Sequence, residues 1–530
     1  MDGGAPVEGL LDAVWGRHGE VGLAGPADIE GGRRNTERDE TVGGRLGPAF
    51  RQSHIVFDRP GSVGVPDDGF LENRTFDEIA LGDTASLSHT VMQRDIDLFA
   101  AATGDFNPTH VDPVYAATDL FHHIIIHGMW GAGLISAVLG TRLPGPGAIY
   151  LGQSLRFRHP VSIGDAITAT VTVTEKRPGK TLSTGDVTLD CVCHNQDGQA
   201  VITGTADIRA PGAKVRLPRA LLPYVRVGRH DAMRALLVRA AAGPALMTAV
   251  VCPVDTASLQ AVLAAAQAGL IVPVLIGPST VIQAVAKAGM MDVAGLRLVD
   301  APDAPAAAAK AVAMARAGEV AMIMKGDLHT DQFLHPIVAG QTGLRTEKHI
   351  SHVYLLDVPD YPRLLLLTDM AINIAPTLAE KVCIVQNAID CAHVIGIPNP
   401  RVAILAAVEV VNPRLQSTVD AAALCKMADR RQITGGLLDG PLAFDNAVSA
   451  AAATEKGIVS PVAGRADILV VPDLEAGNML AKQLTFLAGA EAAGVVLGAS
   501  VPIILTSRAD STVTKVVSCA LAVLMARSAR

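Results

Sequence analysis

The 530-residue sequence predicts two folds in succession, an α+β domain followed by an α/β domain. Three observations predict it. Between residues 71 and 210 one apolar helical run precedes a series of alternating, β-branched segments. From about residue 228 onward, short apolar runs alternate with Ala-rich helical ones. Between them lies "APGAKVRLPRALLPY", rich in Pro and charge, which reads as a linker. A chain this long exceeds what one core usually supports. Its 49% hydrophobic and 18% charged residues suit large buried cores, not a disordered chain.

Each element follows in order. Residues 1–70 are rich in Gly and charge and read as a loose extension. "MDGGAPVEGLLDAVWGRHGE" has early acids and no sustained apolar region, so no signal peptide is expected. A helix is expected from Gly128 to about Leu143. The runs "AIYLGQSLRFRHPV", "DAITATVTVTEKR", "LSTGDVTLDCVCHN" and "AVITGTADIRA" then show β-branched enrichment and partial alternation, with turn residues between them. They predict an antiparallel sheet, and a helix ahead of such strands is an α+β plan. The first domain is therefore placed at 71–212, the linker at 213–227 and the second domain at 228–530.

In the second domain "ALMTAVVCPVD", "VPVLIGP", "LRLVD" and "VAMIMKGD" are strand-like and separated by helices such as "TASLQAVLAAAQAG". A second set begins near Thr377, and "VPIILTSRADS" adds a last strand and turn before a final helix. This alternation implies a parallel sheet covered on both faces. Residues 256–286 carry no charge, but Gln260, Gln267, Gly269, Pro273, Gly277 and Pro278 divide them into helix, strand and loop rather than a membrane span.

The net charge of -8, without a long basic run, argues against nucleic-acid binding. The seven scattered cysteines lack zinc-ligand spacing and fit reduced thiols in a cytoplasm; Cys191 and Cys193 alternate along a strand. No metal site is expected.

Residues 104–112, "GDFNPTHVD", place Asp105 and His110 across an Asn-Pro turn. Taken singly, Asp105 is a turn residue and His110 an ordinary histidine. Together they can share a water, one removing a proton and the other delivering one, as addition of water to a conjugated double bond requires. Gly128 opens a helix, so its N–H is free and the helix dipole is positive there. It suits an oxyanion donor, although a glycine there also allows tight packing.

These motifs, with "HGM", "LISAVLGTRLPGPGAIYLGQSLRFRHPV" and "GD" at 164–165, resemble the MaoC-like (R)-specific enoyl-CoA hydratases over about residues 71–210. The resemblance implies a hotdog fold, normally dimeric, and reversible hydration of trans-2-enoyl-CoA to (R)-3-hydroxyacyl-CoA. It implies that Asp105 and His110 are the acid/base pair, that Asn107 orients the loop, that Gly128 N–H holds the oxyanion, and that Ser136 lies near Asp105. Trp130 and Gly133 depart from the family pattern and bear on acyl-pocket shape.

Ser507 and Arg508 follow an apolar strand and precede a helix. Ligands bind at the carboxyl ends of such strands, and a helix N-terminus with an arginine suits phosphate; a plain helix cap is the alternative. "DGPLAFDNA", "SPVAGRADILVVPDLEAGN" and "LTSRADS" resemble the phosphate acetyl/butyryltransferases, over about residues 228–530. That resemblance implies a two-lobed α/β domain, here 228–376 with 485–530 and 377–484, and exchange of acyl-CoA and phosphate with acyl phosphate and CoA. It implies that Ser507 and Arg508 contact the thiol and the phosphoryl oxygens, and that Asp473, Gly477 and Asn478 line the cleft. Acetyltransferase members carry an Asp, the suggested thiol base, where this chain has Thr514.

The expectation is a bifunctional cytoplasmic acyl-CoA enzyme with no bound cofactor, taking CoA thioesters and phosphate as substrates. It binds no nucleic acid or membrane and forms a homo-oligomer. The alternative is an active hydratase whose C-terminal half only binds CoA or serves as an oligomerisation scaffold.

Overall fold

A computed structural model describes residues 70–179, 184–218 and 230–528. Of the extension expected at 1–70, residues 1–69 lie outside them, as does most of the stretch read as linker, while Phe70 belongs to a strand. The described residues form two compact units, 70–218 and 230–528.

The first unit opens with β1 (Phe70–Glu72) and β2 (Thr84–Thr90). Helices α1 (Gln93–Thr103), α2 (Pro108–Val111), α3 (Pro113–Thr118) and α4 (Gly128–Thr141) follow. Strands β3 (Ile149–Phe157), β4 (Ala166–Pro178), β5 (Gly185–His194), β6 (Ala200–Ala210) and β7 (Arg216–Pro218) complete it. The sheet is antiparallel in the order β2-β4-β5-β6-β3. Strict alternation decides its faces. Ile167, Ala169, Val171 and Val173 of β4 point inward, with Val187, Leu189, Cys191 and Cys193 of β5, while Thr168, Thr170 and Thr172 lie on the other face. The inner face packs on α4 through Leu134, Ile135, Val138 and Leu139, and each such side chain contributes roughly 1.5–3 kcal/mol by leaving water. A Cβ at Gly131 would come within 2.4 Å of Ile202 Cδ1, so any larger residue there would push the end of that side chain aside. The long helix on an antiparallel sheet is the expected hotdog arrangement. Edge strand β3 leaves Ile149, Leu151 and Phe157 exposed.

One segment departs from the sequence reading. Arg216–Pro218, inside the stretch read as linker, pairs antiparallel with Phe70–Glu72. Asn73 fastens the ribbon: its side-chain amide donates to Pro146 O and Ala213 O, and its Oδ1 accepts from Val215 N.

The second unit is built on one eleven-stranded sheet. Its strands are β8 (Leu246–Val251), β9 (Ile271–Gly277), β10 (Arg297–Asp300), β11 (Met322–Lys325), β12 (Ser351–Asp357), β13 (Leu365–Thr368), β14 (Arg401–Leu405), β15 (Leu437–Leu442), β16 (Ile468–Val470), β17 (Glu491–Leu497) and β18 (Ile503–Ile504). Their order is β10-β9-β8-β11-β18-β17-β12-β13-β16-β14-β15. Each flank is parallel, and antiparallel pairings of β17 and β12 join them. The strands read as continuous apolar runs because helices bury both faces, giving cores on either side. The last helix, Thr512–Ser528, is buried nearly all round. The uncharged run resolves into helix Thr256–Gln267, β9 and a helix from Ser279. No helix among the described residues is long and apolar enough to cross a membrane.

Candidate active sites

In the first unit local chain chemistry builds a tight corner. Gly104 ends α1 in the left-handed region (φ 72°), a conformation glycine adopts without penalty. Asp105 Oδ1 then accepts from Asn107 N at 3.3 Å, and Asn107 Oδ1 caps α2 by accepting from Thr109 N at 3.2 Å. Asp112 caps α3 in the same way. The Asn107 amide is thus used in holding the loop.

His110 Nδ1–H donates to Ile125 O at 2.8 Å, which fixes the tautomer of the neutral ring and leaves Nε2 bare. His127 Nε2–H donates to the backbone carbonyl of Asp105 at 3.0 Å. The rings of His110 and His127 lie 4.0 Å apart, and Phe99 packs on His127 at 4.8 Å. Burial holds the His127 pKa below the usual histidine range, and its Nδ1 has no partner among the described residues. Donor atoms of Asp105, His110 and His127 lie within 4.8 Å of one another, the one such cluster of metal-ligating residue types among the described residues. The same three atoms suit proton transfer without an ion.

Gly128 is the first residue of α4, so its N–H has no acceptor within the helix. A Cβ there would sit 3.1 Å from the Phe157 ring. Two cavities meet at His110, His127 and Gly128. One, about 660 Å³, is lined also by Asp105, Ser136 and Tyr150. The other, about 350 Å³, is apolar, with Trp130, Phe157 and Ile202 in its wall. Four predicted residues, Asp105, His110, Gly128 and Ser136, therefore share one cavity. Gly133 lines it too, with open space where a side chain would be. Sequence reasoning assigned His127 no role, although its position directly before Gly128 on the helix cap was a usable signal.

In the second unit Ser507 and Arg508 lie in the loop after β18. Ser507 N–H donates to Asp510 Oδ2 at 2.6 Å, and Arg508 Nε bonds Asp327 Oδ1 at 3.0 Å. The expected placement at a helix N-terminus needs correction. The helix begins at Thr512, and Ser511, not Ser507, caps it by accepting from Thr514 N at 3.0 Å. Burial raises the Asp510 carboxyl above the usual range, against the pull of the Ser507 N–H and of Lys515 and Lys325. Lys325 and Asp327, absent from the sequence reading, come from the end of β11, which pairs with β18. The signal for them was "KGD" directly after an apolar strand.

Asp473, Gly477 and Asn478 gather elsewhere, around the turn after β13. Asp473 caps helix Leu474–Phe486 by accepting from Ala476 N at 2.9 Å. A Cβ on Gly477 would lie 2.9 Å from Asp369 O, so glycine is needed for the helix to reach this turn. Asn478 Nδ2 donates to Met370 O at 3.4 Å. Buried His352 links the two loops: its ring bonds the Leu505 backbone and lies in the field of Asp369. Burial holds its pKa low despite that carboxylate.

Residues 302–523 match the family described as phosphate acetyl/butaryl transferase, and residues 80–192 match that described as MaoC like domain. A phosphate acetyltransferase of Rhizobium meliloti is 56% identical over 295 residues, covering 56% of this chain and 93% of that protein. A phosphate butyryltransferase of Clostridium acetobutylicum is 45% identical over 272 residues, covering 51% and 90%. Among solved structures, an R-hydratase from Pseudomonas aeruginosa is similar at 42% identity and a TM-score of 0.29, covering 30% of this chain and 99% of that one.

Proposed function

The chain belongs to the phosphate acetyl/butyryltransferase family and carries a MaoC-like domain in its first unit, and from that premise we propose a bifunctional acyl-CoA enzyme. The first unit reversibly hydrates trans-2-enoyl-CoA to (R)-3-hydroxyacyl-CoA. The second exchanges acyl-CoA and phosphate with acyl phosphate and CoA.

The observation that carries the hydratase reading is that Asp105, His110 and Gly128 face one cavity. Water between the Asp105 carboxylate and His110 Nε2 loses a proton to one of them as its oxygen adds to the β-carbon. The other, which must carry a proton before the water binds, delivers it to the α-carbon, and the next water relays the first proton across to restore the pair. The thioester oxygen, negative in between, rests on Gly128 N–H; such a donor contributes about 2.7–4 kcal/mol in comparable sites. The apolar cavity behind Gly128 suits the acyl chain. In the transferase reading Arg508 supplies charge to the phosphoryl oxygens, and Ser507 stands beside the thiol.

Thr514 favours a second reading for the C-terminal half, that of a CoA-binding or scaffold module. Its hydroxyl lies 3.1 Å from Ser511 Oγ and is no base at neutral pH. Assay of the full-length chain with crotonyl-CoA, and separately with acetyl- or butyryl-CoA plus phosphate, separates the readings. Both activities are expected; hydration without acyl phosphate would leave the scaffold.

A cytoplasmic homo-oligomer is part of the proposal. Exposed edge strand β3, with Ile149, Leu151 and Phe157, is the kind of edge that a second copy covers. Sedimentation equilibrium is expected to give at least twice the 54.9 kDa chain mass; a monomer at assay concentration would refute it.

A further inference from the structure

The transferase reading leaves the CoA thiol without a base, and Lys325 stands in the same corner of the second unit. Met324 pairs with Ile504, so Lys325 is level with Leu505, two residues before Ser507. Lys325 is 5% exposed and forms no ion pair among the described residues. Its one hydrogen bond is long, 3.4 Å to Gly326 O. The nearby carboxylates are engaged elsewhere: Asp327 holds Arg508, and Asp510 holds Ser507 N–H. Lys515, on the following helix, is also buried and adds a further cation.

An amine in that position is hard to keep charged. Burial, first, and then Arg508 hold its pKa below the usual lysine range; Lys515 adds to this, while Asp327 and Asp510 oppose it. A fully charged lysine takes up no proton, and lowering the amine's pKa raises the fraction that can.

We propose that Lys325 is the general base for the CoA thiol, an assignment that rests on the transferase reading. In acyl-CoA synthesis the Lys325 amine takes the thiol proton. The sulfur electron pair forms the C–S bond at the acyl carbon, the bond from that carbon to the phosphate oxygen breaks, and phosphate leaves with the electrons. The ammonium then gives its proton to the departing phosphate. In reverse, the ammonium protonates the departing thiolate.

Full-length Lys325→Arg and Lys325→Met test this with acetyl or butyryl phosphate and CoA, from about pH 6 to about pH 10. Arginine keeps the charge and cannot deprotonate. Both variants are expected to lose ~10²-fold or more in kcat near neutrality, with the KM for acyl phosphate nearly unchanged. Their rates should climb with pH as the thiol ionises unaided, while wild type levels off earlier. An Arg variant with near-normal kcat overturns the base role and makes Lys325 an anion ligand. A Met variant with raised acyl-phosphate KM and normal kcat does the same. Wild type inactive with both acyl phosphates overturns the transferase reading and this assignment with it. Circular dichroism and the thermal transition of the second unit in each preparation report folding, and the Arg variant suffices if the Met variant does not fold.

Discussion

Asp105→Asn is expected to cut crotonyl-CoA hydration by at least ~10²-fold and leave the fold intact. The change is almost isosteric. The bond from Asn107 N to the side-chain oxygen survives, and so does the bond from His127 to the Asp105 backbone carbonyl. What disappears is the capacity to take up or give a proton. Loss should therefore fall on kcat, with KM little altered. His110→Ala should lose as much, less cleanly, since it also removes the bond to Ile125 O and the ring stacked on His127. Near-normal turnover in Asp105→Asn, measured by loss of enoyl absorbance, would take the pair out of the mechanism.

Arg508→Gln should raise the phosphate KM of acyl-phosphate formation steeply and spare hydration. Glutamine keeps hydrogen-bonding capacity but no charge. A charge-assisted bond contributes about 1.5–3 kcal/mol, which corresponds to roughly 10- to 150-fold. Arg508 is more than half exposed, so its pairing with Asp327 contributes little to stability and the fold should hold. If Arg508 only ties the loop to Asp327, phosphate kinetics will not change; that result would sink its assignment. Equal loss of both activities would point to misfolding instead.

The corner around Asp105 and His110 was legible because it is local. Asp105, His110 and Gly128 lie within one short stretch, and their turn and cap chemistry is written in the same residues that do the chemistry. The α4 helix and the alternating strands β4 and β5 were readable for a like reason, since one buried face imposes a period of two. The surroundings of Ser507 were not legible. Lys325 and Asp327 reach Arg508 only because β11 and β18 are sheet neighbours, and no local pattern encodes which parallel strands lie side by side. Asp473, Gly477 and Asn478 were read through resemblance as cleft residues; the geometry gives each a capping or packing task around Asp369 and Met370. Arg216–Pro218 was hidden for another reason: a three-residue strand has too few positions to show alternation.

That short ribbon has a consequence for how such a chain is assembled. Phe70 faces Pro218 across an antiparallel pair, so the first and last described strands of the MaoC-like unit lie side by side, roughly 4.5–5.5 Å apart. To a designer, residues 70–218 are a cassette with both cut ends at a single socket. A module of that shape can be spliced into a host loop without prising the host's own backbone apart, which is the geometry that domain insertion needs.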